Sequence, residues 1–305
     1  MNDPYEAPER SVEILRYSGD VPRIVQDVVA TEEPLEIRVV FDSSSADRPQ
    51  EVKRRSKSVA VTMRTPGHDA ELAIGFLISE GIVSSKEDIQ SISRVGPPPE
   101  QTDHGNTVVV SLASGIQFDE SKLQRNFFTT SSCGICGKAS IEAVRAQGMV
   151  RAEHKFTVGP RFISGLPDLL RSGQSAFETT GGIHAAGLFD QTGNCFGIRE
   201  DVGRHNAVDK LYGGLVQSNF DLKRLEVPLF LVVSGRASFE LVQKAVMGST
   251  PMMVAVGAPS SLAVELANEF NITLIGFTSS QRFNCYSGRQ RLDFTENDDS
   301  QIDSN

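Results

Sequence analysis

In the second half of the chain, continuous apolar runs alternate with amphipathic stretches. Residues 227–234 read VPLFLVVS, the pattern of a strand buried on both faces. Residues 237–247 follow with Phe239, Val242 and Val246 on one helical stripe. A second apolar run spans 251–256. Residues 260–270 place Leu262, Leu266 and Phe270 at every fourth position, and a third run covers 273–277. Strand–helix–strand–helix–strand predicts right-handed crossovers and a parallel sheet. The first half reads differently. Strand-like runs at 35–41 and 59–62 flank a hydrophilic loop at 42–58. A helix is expected over 68–81, with Leu72, Phe76 and Ser79 on one stripe and Gly81 as the stop. Ser84 and Glu87 have capping-box spacing for a short second helix. Residues 97–105 read as a loop and 106–112 as a strand. The pattern predicts a polar tail over 1–20, a small N-terminal α+β domain over 21–128, an α/β domain over 129–293 that opens with a cysteine loop, and an acidic, disordered tail over 294–305.

Composition narrows the class. The 305 residues are 39 % apolar and 23 % charged, enough to bury a core without disulfide staples. A net charge of −9 argues against a general nucleic-acid binder. No apolar run reaches the length of a membrane span. The first residues lack the basic start and apolar segment of a secretory signal. With only four cysteines, a reducing cytoplasm is expected.

Two of those cysteines stand in the segment 131–138, SSCGICGK. Helix-forming residues follow at once, so Cys133 and Cys136 sit at an expected helix start, where positive potential and Lys138 favour thiolate. Gly134 and Gly137 make the loop permissive. Three chemistries fit the spacing: half of a zinc site, a thioredoxin-like redox pair, and a nucleophilic or sulfur-carrying thiol; a purely structural pair is the fourth possibility. No second Cys-x-x-Cys and no His-x(3–5)-His completes a zinc set, so no metal is expected. Zinc deaminases pair His-x-Glu with Pro-Cys-x-x-Cys. Here Ser132 replaces the proline, and Ala185 and Ala186 follow His184, so a working deaminase site is not expected.

Each predicted strand of the second half ends in a small, polar loop: 234–238, 257–261 and 278–284. Ligands of open parallel sheets bind beyond the carboxyl ends of the strands. Two of the loops open helices, whose free amides attract anions, and Arg236 and Arg282 add phosphate-type contacts. Ser260 and Ser261 lie in the second loop. No Walker A or Gly-x-Gly-x-x-Gly motif is present. Upstream, TTGGIH at 179–184 is a glycine turn, and REDVGRHNAVDK at 199–210 is a dense charged run. These place His184 and His205 beside the expected pocket, although a charged run is ordinarily a solvated face.

Several motifs in order, SSCGICGK, TGGIH at 180–184, EDVGRHNAVDK at 200–210, SGRASFE at 234–240 and GAPSSLAVE at 257–265, together with GHDAELAIGFL at 67–77, resemble the formate dehydrogenase accessory sulfurtransferases, the FdhD/NarQ family. The resemblance covers about residues 23–292. It implies a C-terminal domain with a three-layer cytidine-deaminase-like fold that has lost zinc chemistry, and a cytoplasmic homodimer. It implies sulfur relay as well. A cysteine desulfurase loads Cys133 as a persulfide, with Cys136 beside it. The sulfur then passes to the molybdenum (or tungsten) of bis-molybdopterin guanine dinucleotide, destined for the formate dehydrogenase catalytic subunit. The family's cofactor-binding segment maps to Phe277, Thr278, Ser279, Ser280, Gln281 and Arg282, and a guanine nucleotide is the natural surrogate ligand. The resemblance leaves Cys285 a packing role, and both Cys195 and Cys285 are expected to alkylate slowly. A thiol–disulfide oxidoreductase and a non-catalytic cofactor chaperone remain as alternatives.

Overall fold

The computed structural model describes residues 8–19, 21–45, 48–95, 106–116, 118, 145, 155–222 and 227–295, with the side chains of 44, 45 and 48–52 left out. Cys133 and Cys136, the loop expected at 97–105 and the tail beyond 295 lie outside those residues.

The chain opens with an antiparallel hairpin, β1 (Glu9–Tyr17) and β2 (Pro22–Ala30), in register from Glu9↔Ala30 to Tyr17↔Pro22. This corrects the expected polar tail over 1–20. A two-stranded ribbon satisfies its backbone by cross-strand pairing, so its side chains need no apolar periodicity. Next come β3 (Glu33–Ser45), β4 (Arg48–Arg64), α1 (Asp69–Ser79), β5 (Ile89–Val95) and β6 (Thr107–Leu112). They form a sheet in the order β4-β3-β6-β5, with β3 and β6 parallel. Leu35, Ile37 and Val39 on β3 and Val108, Val110 and Leu112 on β6 are fully buried on one face, under α1. Of the hydrophilic loop expected at 42–58, residues 42–45 and 48–58 are strand instead. β3 and β4 go on pairing past the end of the core. The expected second helix is a single 3-10 turn, Lys86–Asp88. Its cap is Ser85 with Asp88, whose carboxylate accepts from the Ser84 and Ser85 amides at 2.6 and 3.2 Å.

The second half holds α2 (Pro160–Arg171), α3 (Ser175–Thr180), β7 (His184–Asp190), β8 (Cys195–Asp201), α4 (Arg204–Gln217), β9 (Leu229–Val233), α5 (Phe239–Met247), β10 (Met252–Ala255), α6 (Ser261–Glu269), β11 (Thr273–Ser279) and β12 (Arg282–Ser287). The sheet runs β12-β11-β10-β9-β7-β8. Its central strands β9, β10 and β11 are parallel, as the apolar runs predict, and antiparallel strands extend it on both sides. Ile163, Leu166 and Leu170 of α2 pack on Phe230, Val232, Met252, Val254 and Ile275 on one face. Helices α4, α5 and α6 cover the other, which completes three layers of α/β type.

Helix α4 is buried on two sides, because α1 crosses it. A Cβ on Gly213 would lie 1.8 Å from the Glu71 carbonyl oxygen, and one on Gly75 would lie 1.8 Å from that of Asp209. Two glycines thus bring the helix backbones into contact, and a single apolar cluster runs from the β3 sheet through α1 and α4 to the large sheet.

Candidate functional site

The charged run 199–210 separates by role once its partners are known. The Arg199 guanidinium pairs with Glu71 on α1, with Nη2 donating to Oε1 at 2.9 Å. Both carboxylate oxygens of Glu200 accept from the first amides of α3, Ala176 and Phe177, at 2.9 Å. Asp201, wholly buried, accepts from the Thr65, Gly203 and Asn206 nitrogens and pairs with Lys210 at 2.7 Å. Asp209 accepts from Ser79 Oγ at 2.7 Å and from Lys244 Nζ at 2.7 and 2.8 Å. These groups bolt the first sheet and α1 to the large domain. Once ion pairs are buried, removing one partner costs far more than the pair contributes. Arg204 and His205 remain, facing the carboxyl edge of the sheet.

That edge collects the other candidates. β7 runs antiparallel to β9, so its first residue, His184, lies where β9 ends. There the Ala185 amide donates to Ser234 Oγ at 2.9 Å. The strand ends are stitched together: the Gly257 amide donates to Gly235 O at 3.0 Å, and the Phe277 amide to Gly257 O at 3.1 Å. The edge is therefore one continuous row, from His184 through Gly235 and Gly257 to Phe277. The imidazole of His184 lies on bare glycine backbone, with Nδ1 3.3 Å from where a Gly235 Cβ would be.

Burial disfavours the charged form of both histidines. Burial pulls His184 below its usual range; the charge of Arg204 adds to this and Asp201 opposes it. His205 is pushed down to about 4 by burial and then by Lys244 and Arg204, with Glu240 opposing. Its Nε2 is 3.1 Å from Ser238 Oγ and 3.8 Å from Glu240 Oε2. They act here as hydrogen-bonding groups rather than cationic phosphate contacts.

Several expected anion donors are already engaged. Glu240 places a carboxylate at the start of α5; burial raises its carboxyl, and nearby donors and the charges of His205 and Arg204 more than offset this. Ser260 Oγ accepts from the Ala263 amide as the cap of α6. Thr278 is buried, and its hydroxyl donates to Ala255 O at 3.0 Å. Ser261, Ser279, Ser280 and Gln281 are exposed along the rim. Phe277 is 44 % exposed with φ of 53°, at a register break between Gly276 and Ser279. A bulky residue in the left-handed region costs about 1–3 kcal/mol and is retained where the surroundings enforce it. Arg282 stands between two open recesses. One, of about 390 Å³, is lined by Pro160, Phe283, Cys285 and Phe294, the other, of about 230 Å³, by Phe277 and Asn284.

The guanidinium groups of Arg204, Arg236 and Arg282 have no ion-pair partner among the described residues. Arg204 was hidden in the charged run, where nothing distinguishes it from Arg199. Its position just after Gly203, at the first turn of α4, is the only local sign. No cluster of three metal-ligating side chains exists among the described residues. Cys285 packs against the second apolar cluster; burial raises its thiol and the thiol donates to Ser287 O at 3.3 Å. Cys195 is exposed at the start of β8, so accessibility gives no reason for slow alkylation, contrary to expectation.

A family model described as the FdhD/NarQ family matches residues 45–293. The chain belongs to the FdhD/NarQ family. The sulfur carrier protein FdhD of Streptomyces coelicolor is 48 % identical to it over 257 residues, spanning 82 % of this chain and 89 % of that protein. That of Mycobacterium tuberculosis is 43 % identical over 274 residues, spanning 87 % and 92 %. The crystal structure of a formate dehydrogenase accessory protein from Desulfotalea psychrophila superposes with a TM-score of 0.67 at 20 % identity, covering 93 % of this chain and 99 % of that one, a likeness of fold. Within this FdhD/NarQ chain, the segment SSCGICGK and the whole carboxyl edge fall inside the matched span. Among the described residues, no helix is long and apolar enough to cross a membrane.

Proposed function

We propose that the protein is a sulfur carrier in formate dehydrogenase maturation, and that it moves sulfur as a persulfide on Cys133. The observation that carries this reading is the extended match to relatives named sulfur carrier protein FdhD, with the SSCGICGK segment inside it. In the loading step the Cys133 thiolate attacks the terminal sulfur of a cysteine desulfurase persulfide. The donor S–S bond breaks, its electron pair leaves on the donor cysteine, and a new S–S bond forms on Cys133. On delivery the Cys133–sulfur bond breaks with its pair on Cys133. The two electrons that turn sulfane sulfur into a sulfido ligand come from the reduced molybdenum or tungsten of the acceptor.

The acceptor, bis-molybdopterin guanine dinucleotide, carries several phosphates. The unpaired Arg236 and Arg282 and the exposed ring of Phe277 suit such a ligand: guanidinium groups for phosphate, an aromatic face for a base. In this reading the protein works as a cytoplasmic homodimer and hands the cofactor to the formate dehydrogenase catalytic subunit.

Whole-protein mass after incubation with a cysteine desulfurase and cysteine tests the carrier step. A gain of one sulfur atom is expected in wild type and none in Cys133→Ala, with Cys136→Ala at most weakened. A Cys133→Ala protein that still gains sulfur and matures its client would overturn the assignment. A thiol–disulfide oxidoreductase would need both cysteines and gain no sulfur.

A further inference from the structure

Arg204 makes neither hydrogen bond nor ion pair with the described residues, and its Nε is shut off from solvent. A buried guanidinium donor without an acceptor is a defect that native folds seldom keep without a use. Most of the neighbouring carboxylates are committed elsewhere. Asp201 is committed to Lys210, Asn206 and the Thr65 and Gly203 amides. Asp209 is committed to Lys244 and Ser79, and Glu200 to the amides of α3. Glu240 feels the charges of His205 and Arg204, and its one ion-pair contact among the described residues is to His205 at 3.8 Å. The Arg204 Nε is therefore left without an acceptor among the described residues, with two imidazoles beside it. Arg204 Cδ lies 3.8 Å from where a Gly235 Cβ would be, against the same backbone that the His184 ring covers. The charge of Arg204 is felt by both His184 and His205.

We infer that Arg204, His184 and His205 form a second anion subsite, which takes a phosphate group and lies at the opposite end of the sheet edge from Arg282. Arg282 opens β12, and β9, β10 and β11 lie between it and β7. Four strand spacings amount to roughly 19 Å. A ligand with phosphates that far apart would be held at both ends, and one with a single phosphate group at either end alone. Only the identity of that ligand rests on the proposed function; the subsite itself does not. Free phosphate and the phosphate of a nucleotide share this chemistry, and the two cases separate in the experiment.

The test uses the full chain with ¹⁵N-labelled histidines, following imidazole signals during titration with inorganic phosphate and, separately, with guanosine diphosphate. Saturable shifts at His184 and His205, with His68 unmoved, are expected with phosphate. Arg204→Gln should weaken that response about tenfold or more, and Arg204→Lys should keep most of it. Arg282→Ala should leave the phosphate response unchanged. Displacement of phosphate from the histidines by the nucleotide identifies a nucleotide phosphate as occupant, and co-binding without displacement identifies free phosphate. If neither ligand moves His184 and His205, or Arg204→Gln responds like wild type, the subsite does not exist. That failure, with sulfur loading of Cys133 and Arg282-dependent nucleotide binding intact, would leave the proposed function standing.

Discussion

Gly213→Ala should unfasten the two halves of the molecule. On intrinsic propensity the change is favourable, since alanine is preferred over glycine inside a helix by about 1 kcal/mol. The packing reverses the sign. The new Cβ would meet Glu71 O at 1.8 Å, Glu71 C at 2.7 Å and Gly75 N at 2.8 Å. All three are backbone atoms of α1, so no side chain can rotate away, and the first contact must open to at least 3.0 Å. Overpacking of a close-packed interior costs about 1–3 kcal/mol when side chains can adjust, and a rigid backbone clash belongs at or above the top of that range. A net loss of about 2 kcal/mol or more is therefore expected. Gly165→Ala in α2 is the control. Nothing lies within 4 Å of its Cβ, so the propensity gain of up to about 1 kcal/mol should appear unopposed. Urea denaturation of both variants beside wild type reads the difference as opposite shifts of midpoint. Because α4 carries Arg204 and His205 at its first turn, Gly213→Ala should also weaken phosphate binding there, whereas Gly165→Ala should not. If Gly213→Ala is as stable as wild type, the helices do not approach through their glycines and the account of the shared core fails.

Arg282→Ala should weaken guanosine diphosphate about tenfold to a hundredfold, the range for losing one charge-assisted contact, and leave sulfur loading of Cys133 intact; unchanged affinity by titration calorimetry would remove Arg282 from the site. Phe277→Gly relieves a left-handed backbone and removes an exposed ring, so thermal stability should hold or rise while nucleotide affinity drops; a large fall in melting temperature would contradict the strain argument. Burial opposes ionisation of Glu71, but the hydrogen bond from Arg199 overrides it and holds the carboxyl down to about 2. A carboxyl lowered from 4.5 stabilises the fold above pH 4.5, and that contribution fades as pH falls toward 2. Glu71→Gln should accordingly be less stable than wild type at pH 7 and converge with it near pH 2, and parallel stability curves would refute the linkage.

The core strands were legible because burial on both faces leaves a mark in every residue. β9 is buried at all five positions, and β10 at all four, so each reads as an unbroken apolar run. The β3–β4 hairpin was not legible beyond residue 41, and β1 not at all. Their backbones are satisfied by a partner strand, and their described side chains are mostly exposed, with none fully buried, so no apolar pattern is imposed. The convergence of three strand-end loops on one edge followed from the order of elements alone, since parallel strands must present the same ends together. The charged run 199–210 defeated local reading for a different reason. Asp209 meets Ser79 across 130 residues, Arg199 meets Glu71 across 128, and Lys210 meets Thr65 across 145. A charge committed to a distant partner looks, in sequence, like one waiting for a ligand. Only the folded chain, by bringing those partners within 3 Å and leaving Arg204 without one among the described residues, separates the residues that hold the molecule together from the residue that faces the site.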